Sequence, residues 1–198
     1  MKIPQLRKQT EKKNCHGYSW EDDYSWIHQD NCLEILRDTK KLNPEVRKYL
    51  EEENSYTKEV MKDTENLQKK IFKEIEGRIK LDDESLPFKD KKYEYWTKTT
   101  KEGNYAKKLR KKIGSNKVEC YFDGDLEAKG KKFFSTGDLA VSNNDEFLAF
   151  SVDDKGGEYF TIFVRRIEDN KIIEKIEDTA GGVVWSYDDK SFFYRKHD

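Results

Sequence analysis

From residue 43 the chain carries a helical rhythm. Apolar side chains recur at Val46, Tyr49, Leu50, Tyr56, Val60, Leu67, Ile71, Phe72 and Ile75. Steps of mostly three and four place them on one helix face. Asn43 can cap the first free N–H groups, and Pro44 stands at the first helical position, where a missing N–H costs nothing. Gly77 is a C-terminal stop. The pattern predicts one helix of roughly 30 residues, about 45–50 Å long, with Asn54 or Ser55 as the place for a break. The residues before Asn43 read as irregular and polar, anchored by Tyr18, Trp20, Tyr24 and Trp26.

The period shortens after Gly77. Five aromatic and β-branched runs follow: Tyr93–Thr97, Val118–Phe122, Phe147–Phe150, Tyr159–Val164 and Val183–Trp185. Turn signals separate them, including Asp123-Gly124, Asn143-Asn144-Asp145, Gly156-Gly157 and Asp188-Asp189. Short strands between regular turns predict an all-β second half. Within it, Ala140–Phe150 aligns with Val184–Tyr194 at an offset of 44 residues. Each copy holds an apolar pair, a Ser, a polar turn with Asp, then an aromatic strand. A period of this size matches the four-stranded blade of a β-propeller.

Two consequences follow from the pattern. A propeller closes with about four to eight blades, and residues 78–198 hold material for only about two and a half. The helix stripe also needs a cover. Both lead to the expectation that further polypeptide completes the fold.

Composition sharpens this picture. Charged residues make up 40% of the 198 and hydrophobic ones 34%, yet aromatics reach 13%, which disordered chains lack. The net charge of −1 gives no pull toward nucleic acid or a membrane surface. No apolar run has bilayer length, and the first residues show no signal-peptide core. Cys15, Cys32 and Cys120 form no disulfide framework, so a cytoplasmic location is expected.

Asp23-Tyr24-Ser25-Trp26-Ile27 and Tyr49–Thr57 resemble, respectively, the Asp-x-Tyr-x-Trp-Leu motif and the Tyr-Leu-x-x-Glu-Asn-x-Tyr helix of the prolyl oligopeptidase family. Gly77-Arg78-Ile79-Lys80 with Asp82-Asp83, Ser85 and Pro87 resembles the oligopeptidase B (protease II) branch. So does Thr179–Trp185 with Phe192-Phe193-Tyr194 behind it. Tyr105-Ala106 departs from the family's usual Tyr-Pro. The resemblance implies an α+β fragment, with an N-terminal helical segment (1–76) that packs on a hydrolase domain. Residues 77–198 would form the first two to three blades of a seven-bladed propeller, with the catalytic α/β-hydrolase domain absent. It implies a serine endopeptidase cleaving short peptides after Arg or Lys, in which this part serves substrate gating and domain support. The partner is then a separate or missing C-terminal peptidase part, made of the remaining propeller blades and the α/β-hydrolase domain. A degenerate remnant and a free-standing binding module are the alternatives.

The chain itself offers no catalytic centre to assign. A hydrolase nucleophile sits in Gly-x-Ser-x-Gly, and that string does not occur. His16, His28 and His197 are the candidate bases, and none is assigned as catalytic. Cys15, His16, His28 and Cys32 are potential zinc ligands, but the adjacent Cys15-His16 lacks structural-site spacing. No metal or cofactor is expected. The basic run Lys107–Lys112 beside Tyr105 offers a nucleic-acid reading, and an outer strand guarded by lysines is the plainer one. The pairs Asp22-Asp23, Asp82-Asp83 and Asp153-Asp154 read as turn and capping groups, and Gly156-Gly157 and Gly181-Gly182 as blade turns.

Overall fold

A computed structural model describes residues 2–197, which form two compact units, one up to Ile79 and one from Lys80 onward. In the first unit, strands β1 (Glu11–Cys15) and β2 (Tyr18–Asp22) pair as a hairpin. The region expected to be irregular is therefore partly ordered. Its turn is His16-Gly17, both at positive φ (49° and 83°), which matches the right-handed twist of the strands. The signal was one dipeptide, because Glu11–Cys15 lacks apolar alternation. A short helix α1 (Cys32–Arg37) follows.

The expected long helix is two helices, α2 (Pro44–Val60) and α3 (Glu65–Glu76). Asn43 caps α2 as predicted, its side chain accepting from Glu45 N at 2.8 Å. The break falls at Lys62–Thr64, not at Asn54 or Ser55. Ser55 stays helical by donating its hydroxyl to Glu51 O at 2.8 Å. At the break, Thr64 Oγ1 donates to Met61 O at 2.6 Å, so a side chain takes up a carbonyl at the end of α2. Val46 is the one buried apolar residue of α2, while Leu50, Leu67, Ile71, Phe72 and Ile75 are exposed.

The second unit is two antiparallel sheets. In the first, β3 (Asp83–Glu84) and β4 (Phe88–Asp90) both pair with β5 (Tyr93–Thr99), followed by β6 (Lys107–Lys112) and β7 (Val118–Asp123). Helix α4 (Gly124–Ala128) starts where a turn was expected. Asp123 caps it by accepting from Asp125 N and Leu126 N. The second sheet runs β8 (Ser135–Val141), β9 (Phe147–Asp153), β10 (Phe160–Arg166), β11 (Ile172–Trp185) and β12 (Phe192–Lys196). Phe122, Phe134, Leu148, Phe150, Val152 and Ile167 form one core cluster, and Ala149, Ile162, Val164 and Val183 a second.

Strand β11 has two partners along its length. Its first half pairs with β10 (Ile162↔Ile176, Val164↔Glu174), and its second half with β12 (Val183↔Tyr194, Trp185↔Phe192). Thr179 faces both Phe160 of β10 and Lys196 of β12, and past Gly181-Gly182, both at positive φ (68° and 76°), the pairing with β12 alone continues. These glycines lie inside a strand and do not form the expected blade turn. They bend a continuous strand away from one neighbour and toward the next, a conformation that side-chain-bearing residues rarely adopt.

Candidate functional site

The 44-residue repeat reappears atom for atom in two turns. In the β8–β9 turn, Ser142 N donates to Phe147 O (2.9 Å) and Asp145 N to Ser142 O (3.1 Å). Ser142 Oγ donates to Asn144 Oδ1 (2.6 Å) and accepts from Phe147 N (2.9 Å). In the β11–β12 turn, Ser186 N donates to Ser191 O (2.9 Å) and Asp189 N to Ser186 O (3.1 Å). Ser186 Oγ donates to Asp188 Oδ1 (2.8 Å) and accepts from Ser191 N (3.1 Å). Asp145 and Asp189 both adopt the left-handed conformation, at φ 68° and 56°. Asp tolerates this region, which is why each turn can close on it.

Each of these aspartates also fastens its turn to the structure that precedes it. Asp189 accepts from Asn143 N (2.6 Å), Asn144 N (2.7 Å) and Asn143 Nδ2 (3.0 Å). Asp145 accepts from the Tyr95 hydroxyl of β5 at 3.1 Å, and its carbonyl accepts from Arg110 of β6 at 2.7 Å. Arg110 is buried, lies 4.2 Å over the Tyr93 ring and donates to Glu119 at 3.0 Å. Burial, and next the Asp145 charge, push the Tyr95 phenol far above its ordinary value. Burial likewise pushes Tyr121 up to about 12. Neither phenol is available as an acid or base near neutrality. A polar recess of about 750 Å³ opens beside this junction, with Arg110, Glu119, Asp145 and Arg166 in its lining.

The other sequence candidates separate. His16 sits in the first hairpin turn, exposed His28 lies 3.6 Å from Asp30, and His197 packs 4.5 Å from the Tyr159 ring. Cys15 and Cys32 are exposed. Desolvation, then the Asp123 charge, raise the Cys120 thiol, the wrong direction for a nucleophile. Among the described residues no three His, Cys, Asp or Glu side chains come together in a way that could hold a metal ion. None of the described helices is long and apolar enough to cross a membrane.

The basic run is not an outer strand. As β6 it lies between β5 and β7, hydrogen-bonded to both. Lys107 pairs with Asp123 at 2.7 Å and Lys111 with Glu94 at 3.1 Å, and Lys108 Nζ lies 3.0 Å from Thr97 Oγ1. The run therefore ties strands together. The aspartate pairs organise backbone: Asp22 accepts from Tyr24 N, Asp82 from Lys101 N, and buried Asp153 from three N–H groups of the following turn. Within the Asp23–Ile27 motif, Asp23 holds Lys8 and Thr10. Trp26 donates to Arg7 O at 3.0 Å beneath the Arg7 guanidinium.

Sequence reasoning missed the cross-links made by Tyr95, Arg110 and Asp189. The offset repeat marked both turns, but not which groups they would touch.

Comparison with known proteins agrees with this architecture. The family model for the N-terminal β-propeller domain of prolyl oligopeptidase matches residues 4–198. Dipeptidyl aminopeptidase BI of Pseudoxanthomonas mexicana is 28% identical over 196 residues, covering 90% of this chain and 26% of that protein. Protease 2 of Moraxella lacunata is 24% identical over 179 residues, covering 87% of this chain and 24% of the relative. The structure of oligopeptidase B from Leishmania major superimposes with a TM-score of 0.84 at 27% identity, over 100% of this chain and 29% of that one. The Trypanosoma brucei oligopeptidase B bound to antipain gives 0.82 at 25% identity, again over 100% and 29%. The chain thus spans 22–26% of the length of these curated relatives and 29% of these two solved chains. It belongs to the prolyl oligopeptidase family, and what it contributes there is the N-terminal β-propeller part.

Proposed function

We propose that this chain is the non-catalytic N-terminal part of an oligopeptidase-B-like serine endopeptidase. The whole enzyme cleaves short peptides after Arg or Lys. Residues 1–76 brace a hydrolase domain, and residues 77–198 form the opening blades of a propeller that restricts entry to small substrates. The ring is seven-bladed, with the first two to three blades here. The first sheet is one blade and β8–β10 with the first half of β11 the next. The second half of β11 with β12 begins a third. The observation that carries this reading is full-length superposition on oligopeptidase B. Passage of β11 from the edge of one sheet into a new pairing supports it, because repeated sheets in a ring need such a crossover. Catalytic Ser, His and Asp come from polypeptide outside this chain, and no residue here takes a catalytic or cofactor-binding role. Location in the cytoplasm belongs to the same reading.

The test is reconstitution. The purified chain is mixed with a polypeptide carrying the remaining blades and the hydrolase domain of an oligopeptidase B. Short fluorogenic peptides with Arg, Lys, Pro or an apolar residue before the scissile bond are then supplied. Cleavage after Arg and Lys only by the pair, abolished by a serine-directed reagent, is the expected result. Turnover by the chain alone, or failure of the pair to associate, refutes the proposal. Release of N-terminal dipeptides would instead favour an activity like that named for the Pseudoxanthomonas relative.

A further inference from the structure

The two repeated turns differ in what covers them. Ala149 is fully buried, in a cluster with Ile162, Val164 and Val183, whereas its counterpart 44 residues on, Phe193, is 71% exposed. Ala140 is half-buried, and its counterpart Val184 is 66% exposed. Phe150 is buried, and Tyr194 is 42% exposed. At the turn itself, Asn143 is half-buried beneath Asp189, and Tyr187 in the equivalent place is 97% exposed. The second copy repeats the internal geometry of the first, and its outer face lacks the covering that the first receives from β11 and β12.

The covering of the first copy is chemically specific. Val183 supplies apolar contact, Trp185 donates its indole N–H to Ala140 O at 3.0 Å, and Asp189 receives the N–H groups of Asn143 and Asn144. We infer that the face formed by Val184, Tyr187 and Phe193 is a docking surface for one more hairpin of the same repeat. That hairpin presents an apolar strand to Val184 and Phe193. Its turn carries an Asp in the left-handed conformation, which receives the N–H groups of Tyr187 and Asp188. The inference rests on the propeller reading and extends it by naming the recognition group. The crossover at Gly181-Gly182 shows how one continuous strand delivers such a hairpin to its neighbour.

The chain supplies its own probe, because residues 183–194 already form the covering hairpin of the first copy. A cyclised peptide of that sequence is titrated into the full ¹⁵N-labelled chain. Expected are saturable shifts of the Tyr187, Asp188 and Phe193 amides, and affinity at least about tenfold weaker when the peptide carries Asp189→Asn, since a charged acceptor is lost. In the chain, Tyr187→Pro removes one N–H at a position where a turn accepts proline, and it weakens binding similarly. Unchanged thermal unfolding of that variant shows that the turn still folds. Absence of binding at millimolar peptide, equal affinity of the Asn peptide, or shifts confined to other surfaces would overturn the inference. A reconstituted, active peptidase alongside any of those results would leave the family-level reading intact and remove only the aspartate latch.

Discussion

Asp189→Asn tests whether the repeated turn works as a fastening. The substitution keeps the side-chain shape and a residue type that tolerates φ 56°, so it adds no backbone strain. It removes the charge and turns one oxygen into an NH₂ group. In the native turn Oδ1 accepts from Asn143 N at 2.6 Å and Nδ2 at 3.0 Å, and Oδ2 accepts from Asn144 N at 2.7 Å. An Asn can keep one of these faces, as a neutral acceptor. The other then points a donor at a backbone donor. A charge-assisted bond contributes about 1.5–3 kcal/mol; Asp189 and Asn143 are half-buried and Asn144 is exposed, so a loss of about 2 kcal/mol is expected, most of it from the Asn143 side. At about 1.4 kcal/mol per decade, amide hydrogen exchange at Asn143 and Asn144 should accelerate roughly 30-fold. Asp188→Asn is the matched control, since Asp188 accepts from Ser186 and Lys190 inside its own turn. It should leave those two amides unchanged. Acceleration of less than about threefold in Asp189→Asn, or an equal effect from Asp188→Asn, would refute the assignment.

Two further perturbations probe the second unit. Leu148 is fully buried in one cluster with Phe122 and Phe150, so Leu148→Ala should cost about 3–4 kcal/mol and lower the urea midpoint, whereas loss under about 1 kcal/mol would mean that this cluster is not the core. Tyr121 has its phenol raised by burial to about 12, against about 10 in an unfolded chain. Its contribution is therefore complete below about pH 10 and disappears as pH rises toward 12, because only the unfolded state loses the proton in that window. Tyr121→Phe should flatten this alkaline decline in urea titrations, and an unaltered slope would show that Tyr121 is not the group responsible.

What could be read in advance depended on whether a residue's role is local. Asn43-Pro44 announced the start of α2 because a cap acts on its immediate neighbours. The strands Tyr93–Thr99 and Phe147–Asp153 showed themselves through aromatic and β-branched side chains. The break at Lys62–Thr64 was hidden because the apolar rhythm runs on through it, from Val60 to Leu67. Lys107–Lys112 misled for another reason. A lysine-rich strand reads as an exposed edge, and only the pairing shows that Glu94 and Asp123 stand opposite, on strands separated from it by loops.

The repeat joins the local level to the long-range one. A Ser-x-x-Asp turn is local chemistry, so two copies 44 residues apart could be recognised without knowing what they touch. Once both fold alike, differences in their surroundings become informative in a way that exposure alone is not. An isolated exposed Phe is ordinary on any protein surface. Phe193 is different because its counterpart Ala149 lies buried beneath an identified strand in the same sheet. The aspartate of each turn grips what comes before it: Asp145 takes Tyr95, and Asp189 takes Asn143 and Asn144. Adhesion between successive units is thereby written into the turn sequence, while the apolar area between them is left to strands free to vary in side-chain size. That division explains why Ala and Phe can occupy equivalent places across the repeat while the Ser and the Asp recur unchanged.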